Sequence, residues 1–114
     1  MASPVPGGLS IDNGVIADLA GYAALESYGV VGMTAPTLSD GIAKILPAQK
    51  LRRGIKVKTT DKGVCVDLYV VIEHGTNLAA VSRNLVDQVT FVLTEYASVP
   101  IDKVEVHIQD VRIS

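Results

Sequence analysis

Apolar positions recur along the chain with a helical period in two segments, and these segments are predicted to be the long helices. The first pattern starts at Ile11 and stops at Tyr28 and Gly29, because glycine takes the left-handed position after a helix without steric cost. The second runs for about five turns after Gly75 and is broken by Pro100. The two stripes are Val15, Ile16, Leu19, Ala20, Ala23 and Ala24, and Leu78, Val81, Leu85, Val89, Val92 and Tyr96.

Capping residues mark the expected starts of these helices and of a shorter one. The candidate caps are Ser10, Asp12 or Asn13 for the first long helix and Thr76 or Asn77 for the second. Thr37 with Asp40 three residues later is a variant of the capping box. A short helix is therefore expected from Thr37 through Leu46, closed by Pro47, with a basic connector following over residues 48–53.

Strict alternation of apolar and polar residues predicts a β-hairpin in the middle of the chain. Ile55 and Val57 alternate with lysines, residues 61–63 supply a turn, and the alternation resumes from Val64 to Ile72. A short strand is predicted earlier, at residues 30–33. Its internal Gly32 indicates a bulge or a close backbone contact.

The last predicted strand changes phase along its length. Val104, Val106 and Ile108 alternate with polar residues, after which the apolar positions shift to Val111 and Ile113. A bulge near residues 109–110, or a new segment that leaves the sheet, explains this shift.

The order of these elements predicts an α/β fold. A hairpin followed by a helical crossover to a final strand gives a small mixed β-sheet. We expect a two-layer sandwich with the two long helices on one face of the sheet. Residues 1–8 are rich in Pro and Gly without a period and predict a flexible N-terminal tail, which leaves residues 9–114 as a single domain.

Composition narrows the classes of function. Aromatic residues make up only 4% of the 114 residues and Trp is absent, which argues against a nucleic-acid platform built on aromatic stacking. Cys65 is the single cysteine, so an intramolecular disulfide and a cysteine-rich zinc site are excluded. With no apolar stretch near the roughly 20 residues of a membrane span, we expect a soluble, intracellular protein unless a partner carries it to a membrane.

Charge is distributed unevenly although the net charge is only −2. The segment from Lys44 to Lys62 holds seven of the ten basic residues and one acid, so its local charge is +6 and that of the remainder is −8. The candidate residues for an anionic partner are Lys50, Arg52, Arg53, Lys56 and Lys58. The alternative is a solvated rim in which the strand lysines prevent edge pairing.

Spacing along the chain indicates no catalytic centre, metal site or cofactor site. His74 and His107 are not at a ligand spacing. Asp67 and Glu73 lie on one face of a strand roughly 20 Å apart, too far for paired carboxylate catalysis. Cys65 has no neighbouring base and fits a small buried hydrophobe. We therefore expect no catalytic residues, no metal and no cofactor, and not an enzyme.

Several of these motifs together resemble the alkaline shock protein family of Gram-positive bacteria. The motifs are residues 54–58, residues 64–75 with Asn77, residues 104–109, and the exit from the first helix at residues 29–33. The resemblance covers nearly everything beyond Leu9. The basic connector Lys50–Arg53 and His74, where the family often has an aromatic residue, depart from the usual pattern.

The resemblance implies a small, non-enzymatic cytoplasmic protein of envelope homeostasis under stress. It also implies peripheral association with the inner face of the cell membrane, usually through a membrane-anchored protein partner, and no catalytic residue or cofactor. The aliphatic surplus and the opposed charges favour a homo-oligomer. The alternative function is a polyanion or nucleic-acid binding module that uses the basic segment 44–62, although nucleic acid is disfavoured by the low aromatic content.

Overall fold

The computed structural model of the chain describes residues 12–37 and 44–113. Within these residues lie two α-helices, one 3₁₀-helix and four strands. They are α1 (Asn13–Glu26), β1 (Val30–Met33), the 3₁₀-helix (Ala48–Gly54), β2 (Ile55–Thr60), β3 (Gly63–Glu73), α2 (Leu78–Ala97) and β4 (Ile101–Arg112). The predicted tail, residues 1–8, lies outside the described residues.

Strand β3 is the centre of a mixed sheet. β2 pairs antiparallel with its first half, from Thr60 opposite Gly63 to Ile55 opposite Leu68, as the predicted hairpin requires. β1 pairs antiparallel with residues 70–72 of β3, on the same edge of β3 as β2. β4 pairs parallel with the opposite edge, which the α2 crossover makes possible. The predicted mixed sheet and two-layer sandwich are confirmed.

One face of the sheet is buried under the two long helices. The side chains of β3 that are buried on this face are Val64, Val66, Leu68, Val70 and Ile72, and the buried side chains of α2 are Val81, Leu85, Val89, Leu93 and Ala97. The row on α2 advances by four residues at each step, as an i±4 ridge does. The prediction was wrong for Val15, Leu78 and Tyr96, which are exposed. Leu93 and Ala97 take the inner positions at the end of α2 instead.

The starts of both long helices agree with the capping signals, whereas α1 ends two residues before the predicted stop at Tyr28. Asp12 caps α1, accepting a 2.6 Å hydrogen bond from the Gly14 N–H, and Asn77 caps α2. α1 ends at Glu26, and Gly29 takes a φ of 84° in the turn that follows. Within the described residues, neither long helix has the length and apolar character needed to cross a lipid bilayer.

A bulge causes the change in the apolar pattern along β4. This confirms the first of the two explanations that the sequence offered. Consecutive residues of β3 face Ile108 and Asp110, so Gln109 is the extra residue. The Gln109 side-chain amide donates hydrogen bonds to the backbone carbonyls of Ala35 and Pro36, at 3.2 and 3.1 Å. The bulge therefore turns Gln109 out of the ladder and holds the segment after β1 against the sheet.

Strand β1 also carries the bulge predicted from its glycine. Its register against β3 shifts between Val30 and Gly32, and Gly32 then faces Val71. A Cβ atom at Gly32 would lie 2.7 Å from the Ile45 side chain, so a larger residue would clash. The predicted bulge is confirmed, and the close neighbour of the Gly32 backbone is the Ile45 side chain.

The segment between β1 and β2 differs from the prediction. Residues 38–43 of the expected short helix lie outside the described residues, and Lys44–Pro47 are not helical. A 3₁₀-helix instead occupies the expected basic connector. It packs on α1, where Leu51 lies beside Gly21. A Cβ atom at Gly21 would lie 3.6 Å from the Leu51 Cβ atom, which is an ordinary contact, but only 3.0 Å from the Ile55 Cδ1 atom.

Candidate functional site

The sheet face opposite the helices, termed the open face, gathers polar side chains from three strands. Alternation along β3 sends every second side chain to this face, and the register adds neighbours from β2 and β4. The members are Lys56 and Lys58 from β2, Cys65, Asp67 and Tyr69 from β3, and Lys103, Glu105 and His107 from β4. Each is exposed or partly exposed, so the middle of the face is accessible to solvent.

A compact cluster lies at the centre of the open face. The rings of Tyr69 and His107 are stacked, with centroids 4.5 Å apart and planes within 11° of parallel. His107 Nε2 lies 3.0 Å from Asp67 Oδ1, within hydrogen-bond distance. The Lys56 ammonium lies 6.0 Å from the centroid of the Tyr69 ring, at the limit of a cation–π contact. These contacts fix the position of the imidazole ring on the sheet.

Asp67, Glu105 and His107 bring three donor atoms close together. One carboxylate oxygen from each acid and one ring nitrogen all lie within 4.8 Å of one another. Their spacing along the chain is not that of a metal site because Asp67 lies on β3 and meets Glu105 and His107 of β4 only through the parallel register, in which Asp67 faces Glu105. The alternation of β3 and β4 places all three on the face away from the helices, but it does not give the register.

The basic segment does not form one continuous cluster of free charges. Arg52 reaches the helix layer, where its Nε and a terminal nitrogen each donate a 2.7 Å hydrogen bond to the Asp18 carboxylate. The Arg52 guanidinium holds the pKa of Asp18 below its ordinary value of 3.8. The Asp18 carboxylate raises the pKa of Arg52 in return. Much of the positive charge of Arg52 is therefore neutralised within the fold.

The other four candidate residues for an anionic partner lie on two different elements. Lys50 and Arg53 are exposed on the 3₁₀-helix, whereas Lys56 and Lys58 are exposed on β2 and belong to the open face. In the register of the hairpin, Lys56 is opposite Asp67. Lys56 therefore lies beside an acidic residue, whereas Lys58 is opposite Cys65. Lys50 and Arg53 on the 3₁₀-helix are separate from this face.

Cys65 lies at the edge of the open face and is protonated at neutral pH. Its sulfur donates a 3.4 Å hydrogen bond to Asp102 Oδ2, which also accepts a 3.0 Å bond from the Thr60 hydroxyl. Desolvation raises the pKa of the thiol, and the Asp102 carboxylate raises it further. This environment disfavours the thiolate, so it makes Cys65 a poor nucleophile.

The amino-acid sequence is similar to known proteins over most of its length. Residues 3–113 match the alkaline shock protein 23 family, described as having a cell envelope-related function. The uncharacterized protein YloU of Bacillus subtilis is 31% identical over 109 residues, which cover 95% of this chain and 91% of YloU. The uncharacterized protein Spy1614 of Streptococcus pyogenes is 32% identical over 106 residues, covering 92% and 88% of the two chains. No solved structure matches the chain.

The family match covers all the residues that the structure describes. The matched range includes every strand of the sheet, both long helices and all members of the open face. The resemblance seen in the hairpin and the final strand is thereby confirmed.

Proposed function

Because the chain belongs to the alkaline shock protein family, whose function is related to the cell envelope, we propose that it is a non-enzymatic protein of envelope homeostasis. It self-associates and is recruited to the cytoplasmic face of the membrane by a membrane-anchored partner. The observation that carries this proposal is the family match, which spans residues 3–113 and so includes both layers of the fold.

The accessibility of the polar groups supports a binding role over a catalytic one. Active sites are mostly concave and exclude water. The acid and base groups of the open face lie instead on an accessible sheet surface, where the His107 side chain is 39% exposed. Desolvation and then the Asp102 carboxylate raise the pKa of Cys65, the strongest intrinsic nucleophile of the chain, and so disfavour its thiolate.

The free edge of β4 supports self-association. Among the described residues, β4 pairs with β3 alone, so its other edge presents unpaired backbone N–H and C=O groups. Ile108 and Val111 on this strand are exposed, and Ile113 just beyond it is 86% exposed. Pairing of β4 with the same strand of a second copy would satisfy the backbone groups and bury these apolar side chains.

Light scattering on the full chain tests self-association at the β4 edge. We expect oligomers at micromolar concentration. Replacing Ile108 and Val111 together by lysine is expected to shift the mass toward the monomer, because charged side chains block edge pairing. The control replaces Val15 and Leu25 together by lysine, which places the same charge on two exposed apolar positions of α1. A strictly monomeric mass of the unmodified chain at low and moderate salt would contradict self-association.

The basic residues of the 3₁₀-helix are the proposed contact with an acidic surface of the membrane-anchored partner. Lys50 and Arg53 are exposed there, whereas Arg52 is paired with Asp18. Replacing Lys50 and Arg53 together by glutamate is expected to reduce recovery of the partner in a cross-linking pull-down from the source cell. The control pairs Lys62→Glu with Arg83→Glu, which gives an equal charge change at the hairpin turn and on α2.

A polyanion-binding role for segment 44–62 is the alternative, favoured by the local charge of +6. Titration of labelled single-stranded RNA and DNA at low salt distinguishes the two. Binding that weakens steeply with salt, as phosphate contacts require, would support the alternative. Absence of binding would remove it and leave the envelope role.

A further inference from the structure

The donor atoms of Asp67, Glu105 and His107 are close to the spacing of a metal site. Asp67 faces Glu105 across β3 and β4, and His107 lies two residues further along β4 on the same face. All three donor atoms lie within 4.8 Å of one another, and His107 Nε2 lies 3.0 Å from Asp67 Oδ1. With zinc bonds of about 2.0–2.1 Å, the donors of a tetrahedral site lie about 3.3 Å apart. Side-chain movements of about 1.5 Å or less therefore complete the geometry.

We propose that Asp67, Glu105 and His107 bind one Zn²⁺ ion on the open face of the sheet. An imidazole nitrogen combined with carboxylate oxygens favours zinc over magnesium and calcium, which prefer oxygen ligands alone. Three protein ligands leave a fourth position for water, and the exposure of the face makes that position accessible. The site is separate from the envelope role and from the basic residues of the 3₁₀-helix.

Tyr69 prepares His107 for this role. It is opposite His107 in the parallel register, and the stacked rings restrict rotation of the imidazole. The same ring orientation directs Nε2 toward the Asp67 carboxylate at 3.0 Å. Groups that orient a ligand in this way contribute to metal affinity although they do not touch the ion.

Lys103 is the competitor for one ligand. Its ammonium lies 3.5 Å from Glu105 Oε1. The Lys103 side chain is 59% exposed and that of Glu105 is 50% exposed. Exposed ion pairs of this kind are weak, so a zinc ion can displace the ammonium. Removal of the lysine charge is therefore expected to tighten zinc binding, a gain that a purely structural hydrogen-bond cluster would not produce.

Calorimetric titration of the metal-free, untagged chain with zinc chloride tests the proposal. We expect saturation at one equivalent. His107→Gln and Glu105→Gln are each expected to weaken binding at least about tenfold, because even the loss of an orienting group has that effect. Lys103→Gln is expected to bind more tightly than the unmodified chain. Two control variants should leave the affinity unchanged. His74→Gln removes the other histidine of the chain, and Cys65→Ala removes the thiol on the open face.

Four results would overturn the proposal. They are the absence of saturable binding, an unchanged affinity in His107→Gln, a loss of binding in Cys65→Ala, and magnesium binding as tight as that of zinc. Circular dichroism shows whether each variant is folded. Proton NMR of the unmodified chain gives a readout that needs no variant: zinc should shift the ring resonances of His107 and leave those of His74 in place, and the opposite pattern would exclude the site.

Discussion

Replacement of Leu93 by alanine tests the packing of α2 against the sheet. Leu93 is fully buried in the main core cluster, which also contains the buried valines of β3. The change removes three carbon atoms, and at about 0.8 kcal/mol for each buried methylene the lost transfer free energy is about 2.4 kcal/mol. The cavity left behind raises the expected loss of unfolding free energy to between about 2.7 and 5 kcal/mol.

Tyr96→Ala is the matched control for this prediction. Tyr96 is larger than Leu93 but 74% exposed, so its removal is expected to change the unfolding free energy by about 0.5 kcal/mol or less. Urea unfolding followed by circular dichroism measures both variants, at protein concentrations low enough to avoid association. A cost for Tyr96→Ala equal to or greater than that for Leu93→Ala would refute the observed orientation of α2.

Three further predictions follow from named contacts. Asp18→Asn lowers stability at neutral pH because Arg52 lowers the pKa of Asp18 in the fold. This loss of stability becomes smaller as the pH falls below the ordinary carboxyl pKa of 3.8, and it disappears only below the lowered pKa that Asp18 has in the fold. Urea unfolding at neutral and strongly acidic pH measures this difference. Cys65 reacts slowly with a disulfide reagent at neutral pH, since burial and Asp102 raise the pKa of its thiol, and Asp102→Asn speeds the reaction. Gln109→Ala removes two hydrogen bonds to the segment after β1, lowers the unfolding free energy by about 1–3 kcal/mol, and speeds amide hydrogen exchange in that segment.

Each of these predictions has a contradicting result. For Asp18, it is an equal loss of stability at neutral and strongly acidic pH. For Cys65, it is rapid labelling of the unmodified chain, or labelling that Asp102→Asn does not change. For Gln109, it is exchange after β1 that is as slow in the variant as in the unmodified protein.

The local patterns of the sequence were sufficient for the architecture. The alternation around the turn at residues 61–63 predicted the hairpin because each strand buries one face. The buried face and the short turn together determine which residues of the two strands pair. Asp12 and Asn77 acted as helix caps because capping depends on neighbours two or three residues away. Tyr96 was assigned to the wrong face because a helical stripe fixes the inner side only approximately over five turns.

The candidate zinc ligands and the Arg52 ion pair depended on contacts that no local pattern gives. Asp67 meets His107 only after β4 pairs in parallel with β3, and the bulge at Gln109 shifts that register further along the strand. Arg52 meets Asp18, 34 residues earlier, because the 3₁₀-helix packs on α1. A local count of charge therefore included Arg52 among the residues free to bind a partner, although its charge is paired within the fold.

The most direct test of the central claim is sedimentation of the protein with inside-out membrane vesicles from the source cell. Vesicles with intact membrane proteins are compared with protease-treated vesicles and with pure lipid vesicles of the same composition. Recruitment by a membrane-anchored partner predicts that the protein sediments with the intact vesicles and remains in the supernatant with the other two. Equal sedimentation with all three, or none with intact vesicles, would contradict the proposed recruitment.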